Sequence, residues 1–342
     1  MKNKRVGAIL SAVLAAVFYA INMPCSKLLL RQVPSTIMAG FLYLGAGLGI
    51  GVLFLFNARK TEKTARLSKA DVPYTVAMVA LDILAPILLM YGLLNTTSAN
   101  ASLLNNFEIV ATTIIALVVF KEAVSTELWI AIALVTVSSV ILSFEDLSGF
   151  QFSWGSLFVL AAAVCWGFEN NCTRSISSKD TYEIVTIKGL GSGTGSLVIG
   201  LVVGERVPAM KYVLLVLLLG FIAYGLSIFF YIKAQKELGA AKTSAFYAIA
   251  PFVGAFLSFL VLKEPFSAQY FVALMVMVAG SVMAAIDTLK LRHCHAHVHI
   301  ITHTHDGDTH THEIVHTHEH SHLGSEGKNH HHSHRGCALP MH

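Results

Sequence analysis

Residues 36–56 read Thr36-Ile-Met-Ala-Gly-Phe-Leu-Tyr-Leu-Gly-Ala-Gly-Leu-Gly-Ile-Gly-Val-Leu-Phe-Leu-Phe56, without a single charge. A helix needs about 20 apolar residues to cross a bilayer. A spanning segment must close its own backbone hydrogen bonds, because an unpaired polar group in lipid costs several kcal/mol. The stretch therefore predicts a transmembrane helix. Nine more apolar segments accompany it, and the set is 6–30, 36–56, 72–94, 98–120, 127–144, 154–176, 183–203, 211–235, 240–262 and 268–288. The composition agrees, with 55% hydrophobic and 13% charged residues in 342. A soluble domain carries about a quarter charged residues. A soluble globular enzyme and a disordered chain are both disfavoured.

The glycines of this stretch have a second copy. Gly45, Gly47, Gly49 and Gly51 align with Gly189, Gly191, Gly193 and Gly195. Elsewhere Gly7 aligns with Gly155 and Asn22 with Asn170, and Ala99, Ser102, Lys121 and Glu122 align with Ala241, Ser244, Lys263 and Glu264. The chain is thus expected to be a duplication. Five spans per half is an odd number, so tandem copies must lie in opposite orientations. Inverted repeats are the architecture of many secondary transporters, with a site between halves that opens alternately to each side. A scaffolding role for a duplicated bundle is the plainer alternative. The expected fold is an all-α integral membrane protein: ten transmembrane helices in two inverted five-helix repeats, residues 1–147 and 148–292, followed by a disordered His-rich tail, residues 293–342.

On a helix the four-residue glycine spacings are GxxxG pairs, which let backbones approach closely. They are not phosphate loops, since no Lys-Ser/Thr follows. Exposure of their backbone to a cavity is the second reading.

Loop charges orient the chain. With ten spans and a cytoplasmic N-terminus, the cytoplasmic loops and ends of the body hold sixteen Lys or Arg, against four on the other side. Such an excess marks the cytoplasmic face. The expected location is the inner (plasma) membrane, multi-pass, with both termini in the cytoplasm. Lys2, Lys4 and Arg5 before the first segment resemble a signal peptide, but the run is too long for a signal core and recurs at 154–176. Trp129, Trp154, Tyr212 and Tyr270 near span ends are expected as interfacial anchors.

Ionisable groups inside the spans carry the functional signal. An isolated charge at a helix centre costs at least about 2.5 kcal/mol, so each should face a partner, water or the bundle interior. The candidates for substrate binding are Asn22, Asp82, Asn106, Glu108, Glu169, Asn170 and Lys188. Asp82 stands four residues before Pro86, where a bend would free carbonyls. Glu169, Asn170 and Asn171 form a dense polar cluster. Carboxylates there could take up protons or bind a cationic group, and Lys27 or Lys188 could meet an anion. The alternative is that these groups only pair with one another, with Lys27 snorkelling to the interface.

All 17 His lie between His293 and His342, so the body contains none. A Ser-His-Asp triad or a HExxH zinc site within it is impossible. The five Cys make no CxxC pair and no disulfide framework. The basic residues sit in short loops rather than one stripe, so no nucleic-acid partner is expected.

At this point the residues resemble a known family. The Tyr19-Ala-Ile-Asn-Met-Pro-Cys-Ser-Lys27 stretch and its counterpart at 166–174 are similar to those of the drug/metabolite transporter superfamily, specifically EamA-like transporters. So are the Phe120-Lys-Glu-Ala123 and Leu262-Lys-Glu-Pro265 turns and the preceding Leu238-Gly-Ala-Ala-Lys-Thr-Ser244. Cys165-Trp-Gly-Phe-Glu-Asn-Asn-Cys-Thr-Arg174 resembles a bacterial subgroup. The resemblance covers about residues 5–290 and implies ten helices, both termini inside, a central cavity and alternating access. It implies export or exchange of a small metabolite such as an amino acid, a nucleoside or a drug-like compound.

The tail departs from that family. His293, His295, His297, His299, His303, His305, His310, His312, His316, His318, His320 and His322 alternate with other residues. Alternation puts imidazoles on one side of an extended chain, and neutral imidazole suits Zn²⁺, Ni²⁺, Cu²⁺ or Co²⁺. Composition offers no packed core, so disorder without metal is expected. A solubilising, pH-sensitive tail is the plainer reading.

Together these features predict a transporter without enzymatic activity and with no required cofactor, Zn or Ni on the tail being the candidates. Its expected partners are the lipid bilayer, a small-molecule substrate, a coupling proton and divalent metal ions, and a homodimer is compatible. A divalent-metal exporter and a non-transporting membrane metal sensor are the alternatives.

Overall fold

The computed structural model describes residues 2–57, 66–120, 124–146, 151–176, 179–238, 243, 246–305 and 308–323, with the backbone alone over 2–5, 56–57, 120, 145–146, 151–152, 181, 232, 235–238, 288–305 and 308–323. The first apolar segment forms two helices, α1 (Lys2–Ala20) and α2 (Asn22–Leu29). Pro24 causes the break, because it has no N–H and its ring crowds the carbonyl of Ala20, four residues before. Next come α3 (Ser35–Asn57), α4 (Val72–Asn95), α5 (Ser98–Leu104), α6 (Phe107–Phe120) and α7 (Thr126–Leu142). A short antiparallel strand pair, β1 (Phe144–Asp146) and β2 (Gln151–Phe152), leads to α8 (Trp154–Ser175) and α9 (Thr181–Val202). Then α10 (Met210–Gly220) passes through a π-helical turn, Phe221–Leu226, into α11 (Ser227–Leu238). The body ends with α12 (Ala250–Leu262) and α13 (Ala268–Leu289).

Seven helical segments among the described residues are long and apolar enough to cross a membrane: Val6–Leu29, Ser35–Leu55, Lys69–Asn95, Ser98–Val119, Tyr182–Val202, Met210–Tyr231 and Ala268–Asp287. Of the ten segments expected, three fall short by this measure. The apolar helices α7 and α12 have 17 and 13 residues, and about 1.5 Å per residue makes both shorter than a ~30 Å hydrocarbon core. Helix α8 is 22 residues long but carries Glu169, Asn170, Asn171 and Arg174.

Solvation is inverted relative to a soluble domain. Leu55, Val118, Val202 and Leu214 are more than half exposed, while Asn22 and Asp82 are fully buried. An apolar exterior of this extent suits lipid.

The glycines explain how the bundle closes. Helix α3 packs against α9 and α10. A Cβ on Gly45 would stand 2.2 Å from the Leu217 carbonyl oxygen, and one on Gly47 would stand 2.6 Å from the Leu190 nitrogen. On α9, a Cβ at Gly193 would stand 2.6 Å from the Leu44 nitrogen. These backbones touch, so the glycine run serves helix packing. Gly51 has more room, with Thr186 Cγ2 3.5 Å away. The remaining principal pairs are α1 with α11, α4 with α8, α6 with α8, α5 with α12 and α7 with α13.

The tail departs from the disorder expected of it. Its backbone forms strands β3 (Lys290–His305) and β4 (Asp308–Leu323), paired antiparallel from Lys290↔Leu323 to His305↔Asp308. Both strands are rich in β-branched residues, Val298, Ile300, Ile301, Thr302 and Thr304 on β3 and Thr309, Thr311, Ile314, Val315 and Thr317 on β4, with Val298↔Val315, Thr302↔Thr311 and Thr304↔Thr309 directly opposed. Such residues favour extended backbone, which composition alone did not weigh. The intervening dipeptide is Asp306-Gly307, a sequence suited to a two-residue hairpin connection. The repeat boundary at 147/148, the Lys121–Ala123 part of the first Phe-Lys-Glu-Ala turn, and residues 324–342 lie outside the described residues.

Candidate functional site

The polar centre is assembled from helices far apart in sequence. Helix α8 supplies Trp166, Glu169, Asn170 and Thr173, spaced three and four apart so that they form one stripe. Helix α9 supplies Lys188 and α4 supplies Asp82. Pro86 continues α4 but has no N–H to give the Asp82 carbonyl four residues earlier.

Lys188 Nζ lies 3.1 Å from Asp82 Oδ2 and 2.9 Å from Glu169 Oε1. Both carboxylates are buried, at 0% and 1% exposure. The Tyr43 hydroxyl on α3 donates to Asp82 Oδ1 at 3.0 Å, and Trp166 Nε1 donates to the Tyr43 oxygen at 3.3 Å. The Thr173 hydroxyl donates to Glu169 Oε1 one turn away. Glu108, in the first turn of α6, accepts from Asn170 Nδ2 at 2.6 Å. Two carboxylates thus share one ammonium, with the Glu108–Asn170 pair one residue farther along α8. Buried charges of this kind persist only when paired and hydrogen-bonded.

Of the seven candidates read from the sequence, five meet here: Asp82, Glu169 and Lys188 as an ion-paired group, Glu108 and Asn170 as a hydrogen-bonded pair. Asn22 joins indirectly. Its Nδ2 donates to the Tyr224 hydroxyl at 3.1 Å, and the Tyr224 ring lies 5.3 Å from that of Tyr43. Asn106 is buried in the turn between α5 and α6, and its Nδ2 lacks a hydrogen-bond partner there. Helix breaks cluster around this centre, at Ile21, at Asn105–Asn106 and at the π-helical turn holding Tyr224.

Several side chains do other work than expected. Lys27 stands outside the centre. It donates to the carbonyls of Leu93, Leu94 and Thr96, the last two at 3.2 and 2.8 Å, and so caps the C-terminus of α4. Asn171 bonds the Thr112 and Gly167 carbonyls at 3.2 and 2.8 Å, tying α8 to α6. Trp129 and Trp154 are exposed, as anchors would be, whereas Tyr270 is buried against Phe259 with ring centres 5.0 Å apart. The twelve tail histidines occupy β3 and β4 by backbone. Among the residues whose side chains are described, no group of three His, Cys, Asp or Glu is placed to hold a metal ion.

Tyr43, Trp166 and Tyr224 are the site residues that sequence reading missed, being counted there as apolar. A signal existed, because a buried Tyr or Trp usually needs a partner for its O–H or N–H.

Two acids hold helix ends, a role the sequence reading gave to neither. Glu205 accepts from the Thr36 and Ile37 amides at 3.2 and 2.9 Å, at the start of α3. Glu264 accepts from the Ser98 and Ala99 amides at 2.7 and 2.9 Å, at the start of α5. Helix N-termini present unpaired N–H groups and a partial positive charge, which carboxylates satisfy. A cavity of about 510 Å³ lies at this same end of the bundle, lined by Asn95, Thr97, Phe259 and Gln269, away from the polar centre.

The sequence pattern of the EamA-like transporter family matches residues 6–144 and again residues 153–286. An uncharacterized transporter of Methanothermobacter thermautotrophicus is 26% identical over 295 residues, covering 81% of this chain and 85% of its own. A protein of known crystal structure superimposes with a TM-score of 0.58 at 18% identity, covering 81% of this chain and 96% of that one. That likeness is one of fold.

Proposed function

The chain belongs to the EamA-like transporter family and is a multi-pass membrane transporter rather than an enzyme; from that premise we propose that it exports a small organic metabolite by alternating access at the Asp82–Glu169–Lys188 group. The observation that carries this reading is Lys188 on α9 held between acids of α4 and α8. Attraction between such charges is far stronger inside a membrane protein than in water. A substrate ammonium or a proton reaching either carboxylate competes directly with Lys188. Its release uncouples α9 from α4 and α8, which is a means of linking binding to helix movement. The excess of acid favours amino acids, amine-bearing drug-like compounds or nucleosides presenting donors, with a proton as coupling ion.

The architecture we assign is ten spans in two inverted repeats, residues 1–147 and 148–292, in the inner membrane with both termini cytoplasmic. Support comes from the helix pairing. Exchanging each span with its counterpart five spans on carries the α1–α11 pair onto α8–α4, and α6–α8 onto α12–α1. It leaves α3–α9, α5–α12 and α7–α13 in place. The His-rich tail is assigned a metal-binding role on the cytoplasmic side, with Zn²⁺ or Ni²⁺ as ligand. Export of the metal itself is the weaker reading, since a divalent ion at the centre would first have to displace Lys188 from both acids.

The deciding experiment is a thermal-shift screen of the full chain and of a version ending at Arg292, against amino acids, nucleosides, polyamines and divalent metals. A ligand that binds the native state raises its apparent stability. An organic ligand stabilising both versions, followed by its flux into proteoliposomes, is the expected result. A metal shift kept without the tail, and no organic hit, would overturn the reading.

A further inference from the structure

The hairpin register sorts the tail histidines in a way their spacing alone does not. Directly opposed residues of an antiparallel pair share a face, and successive residues alternate faces. Each His of β3 has an odd number and each His of β4 an even one, and the register pairs odd with even from Lys290↔Leu323 to His305↔Asp308. All twelve therefore fall on one face. Alternation within each strand was legible in the sequence. The agreement of the two strands depends on register, since a slip of one residue would put the β4 histidines on the other face.

The partners are specific. His293 opposes His320, His295 opposes His318, and His297 opposes His316. Farther along, His303 opposes His310 and His305 opposes Asp308. Between these groups, Ile314 stands opposite His299 and Ile301 opposite His312, so the row is interrupted by two apolar residues. Directly opposed Cβ atoms lie about 5 Å apart, and successive residues on one face of a strand about 7 Å apart. Two adjacent pairs thus place four histidines on one face within a patch of about 5 by 7 Å along the backbone.

We infer that the hairpin is a strand-spanning chelator of borderline transition metals with two separate banks. The first takes its ligands from the three consecutive His–His pairs, the second from the pairs His303–His310 and His305–Asp308. Zn²⁺, Co²⁺ and Ni²⁺ are the ions such imidazole sets favour. This rests on the metal-binding reading of the tail and adds that ligands come from both strands.

The test is a Co²⁺ titration of the full chain in detergent, read by ligand-field absorption and by displacement with Zn²⁺. One variant keeps composition, charge and alternation but moves three histidines of β4 to the opposite face. It carries His316→Thr with Thr317→His, His318→Glu with Glu319→His, and His320→Ser with Ser321→His. His310 and His312 remain in place, so no single register slip restores both banks. Affinity at the first bank is expected to fall at least tenfold. Unchanged binding by the variant would overturn the two-strand arrangement while leaving the tail as a metal binder. If the full chain takes up no more Co²⁺ than the version ending at Arg292, the metal-binding reading itself falls, and this inference with it.

Discussion

The polar centre and the histidine hairpin are both rows of ionisable groups, yet they are built in opposite ways. At the centre, each charge is a single residue from a different helix, and Lys188 meets Asp82 and Glu169 only because α4, α8 and α9 pack together. In the tail, one residue type recurs along one connected stretch, and a single register aligns it. Burial sets the difference. A charge buried in the bundle must find a partner or cost several kcal/mol, so packing and pairing determine each other. The hairpin needs only backbone pairing to bring its histidines onto one face. Damage to the centre should therefore be severe and local, while damage to the tail should be graded.

The comparison breaks first at Lys188. Lys188→Ala leaves two buried carboxylates without their shared ammonium, a loss of roughly 3–5 kcal/mol. Proteoliposome flux should disappear and the apparent melting temperature should fall, while tail metal binding stays intact. Retained flux would show that this ion-paired group is structural only.

Gly45 gives the next largest effect. A methyl group there would sit 2.2 Å from the Leu217 carbonyl, and backbone cannot yield as a side-chain tip can. Gly45→Ala should cost about 1–3 kcal/mol through overpacking, measured as a lowered melting temperature. Gly51→Ala is the matched control, with its nearest neighbour 3.5 Å away and little change expected.

Glu264 sharpens the picture at the bundle's end. Its carboxylate holds two amides at the start of α5. Glu264→Ala should destabilise by about 1–2 kcal/mol, the usual effect of losing an N-terminal cap, seen as a lower melting temperature. An unchanged melting temperature would show that water replaces the cap freely.

The mildest test applies to the tail. Imidazole titrates near pH 6.5, and only its neutral form ligates. Lowering the pH from 7.5 to 5.5 should weaken Zn²⁺ binding by the full chain by about tenfold or more, reversibly and without unfolding the body. The version ending at Arg292 should show no such dependence.

How much of this was legible beforehand can be judged residue by residue. The apolar stretch 36–56 and its companions announced a membrane bundle, because lipid tolerates few charges and no unpaired backbone. The paired glycine runs announced close helix contact, since only a missing side chain permits it. Asp82, Glu169 and Lys188 stood out because charge in a span is costly. Pairing was harder to read. Lys27 and Lys188 are both lysines in apolar spans, yet one caps α4 and the other bridges two acids. Tyr43, Trp166 and Tyr224 were invisible as polar groups because their rings score as apolar, and only burial makes the hydroxyl or indole N–H matter. The tail's alternating histidines were plain in the sequence, but the pairing of its two strands was not.

Sequence by itself therefore determined the solvent this protein folds in, the contact points of its helices and the costly charges it carries. These follow from local chemistry, which neighbours cannot alter. Tertiary structure decided which charge meets which, where the helices break around the centre, and which face the histidines share. Those depend on distances between residues more than a hundred positions apart, such as Lys188 and Asp82, or on a strand register that only the paired backbone fixes.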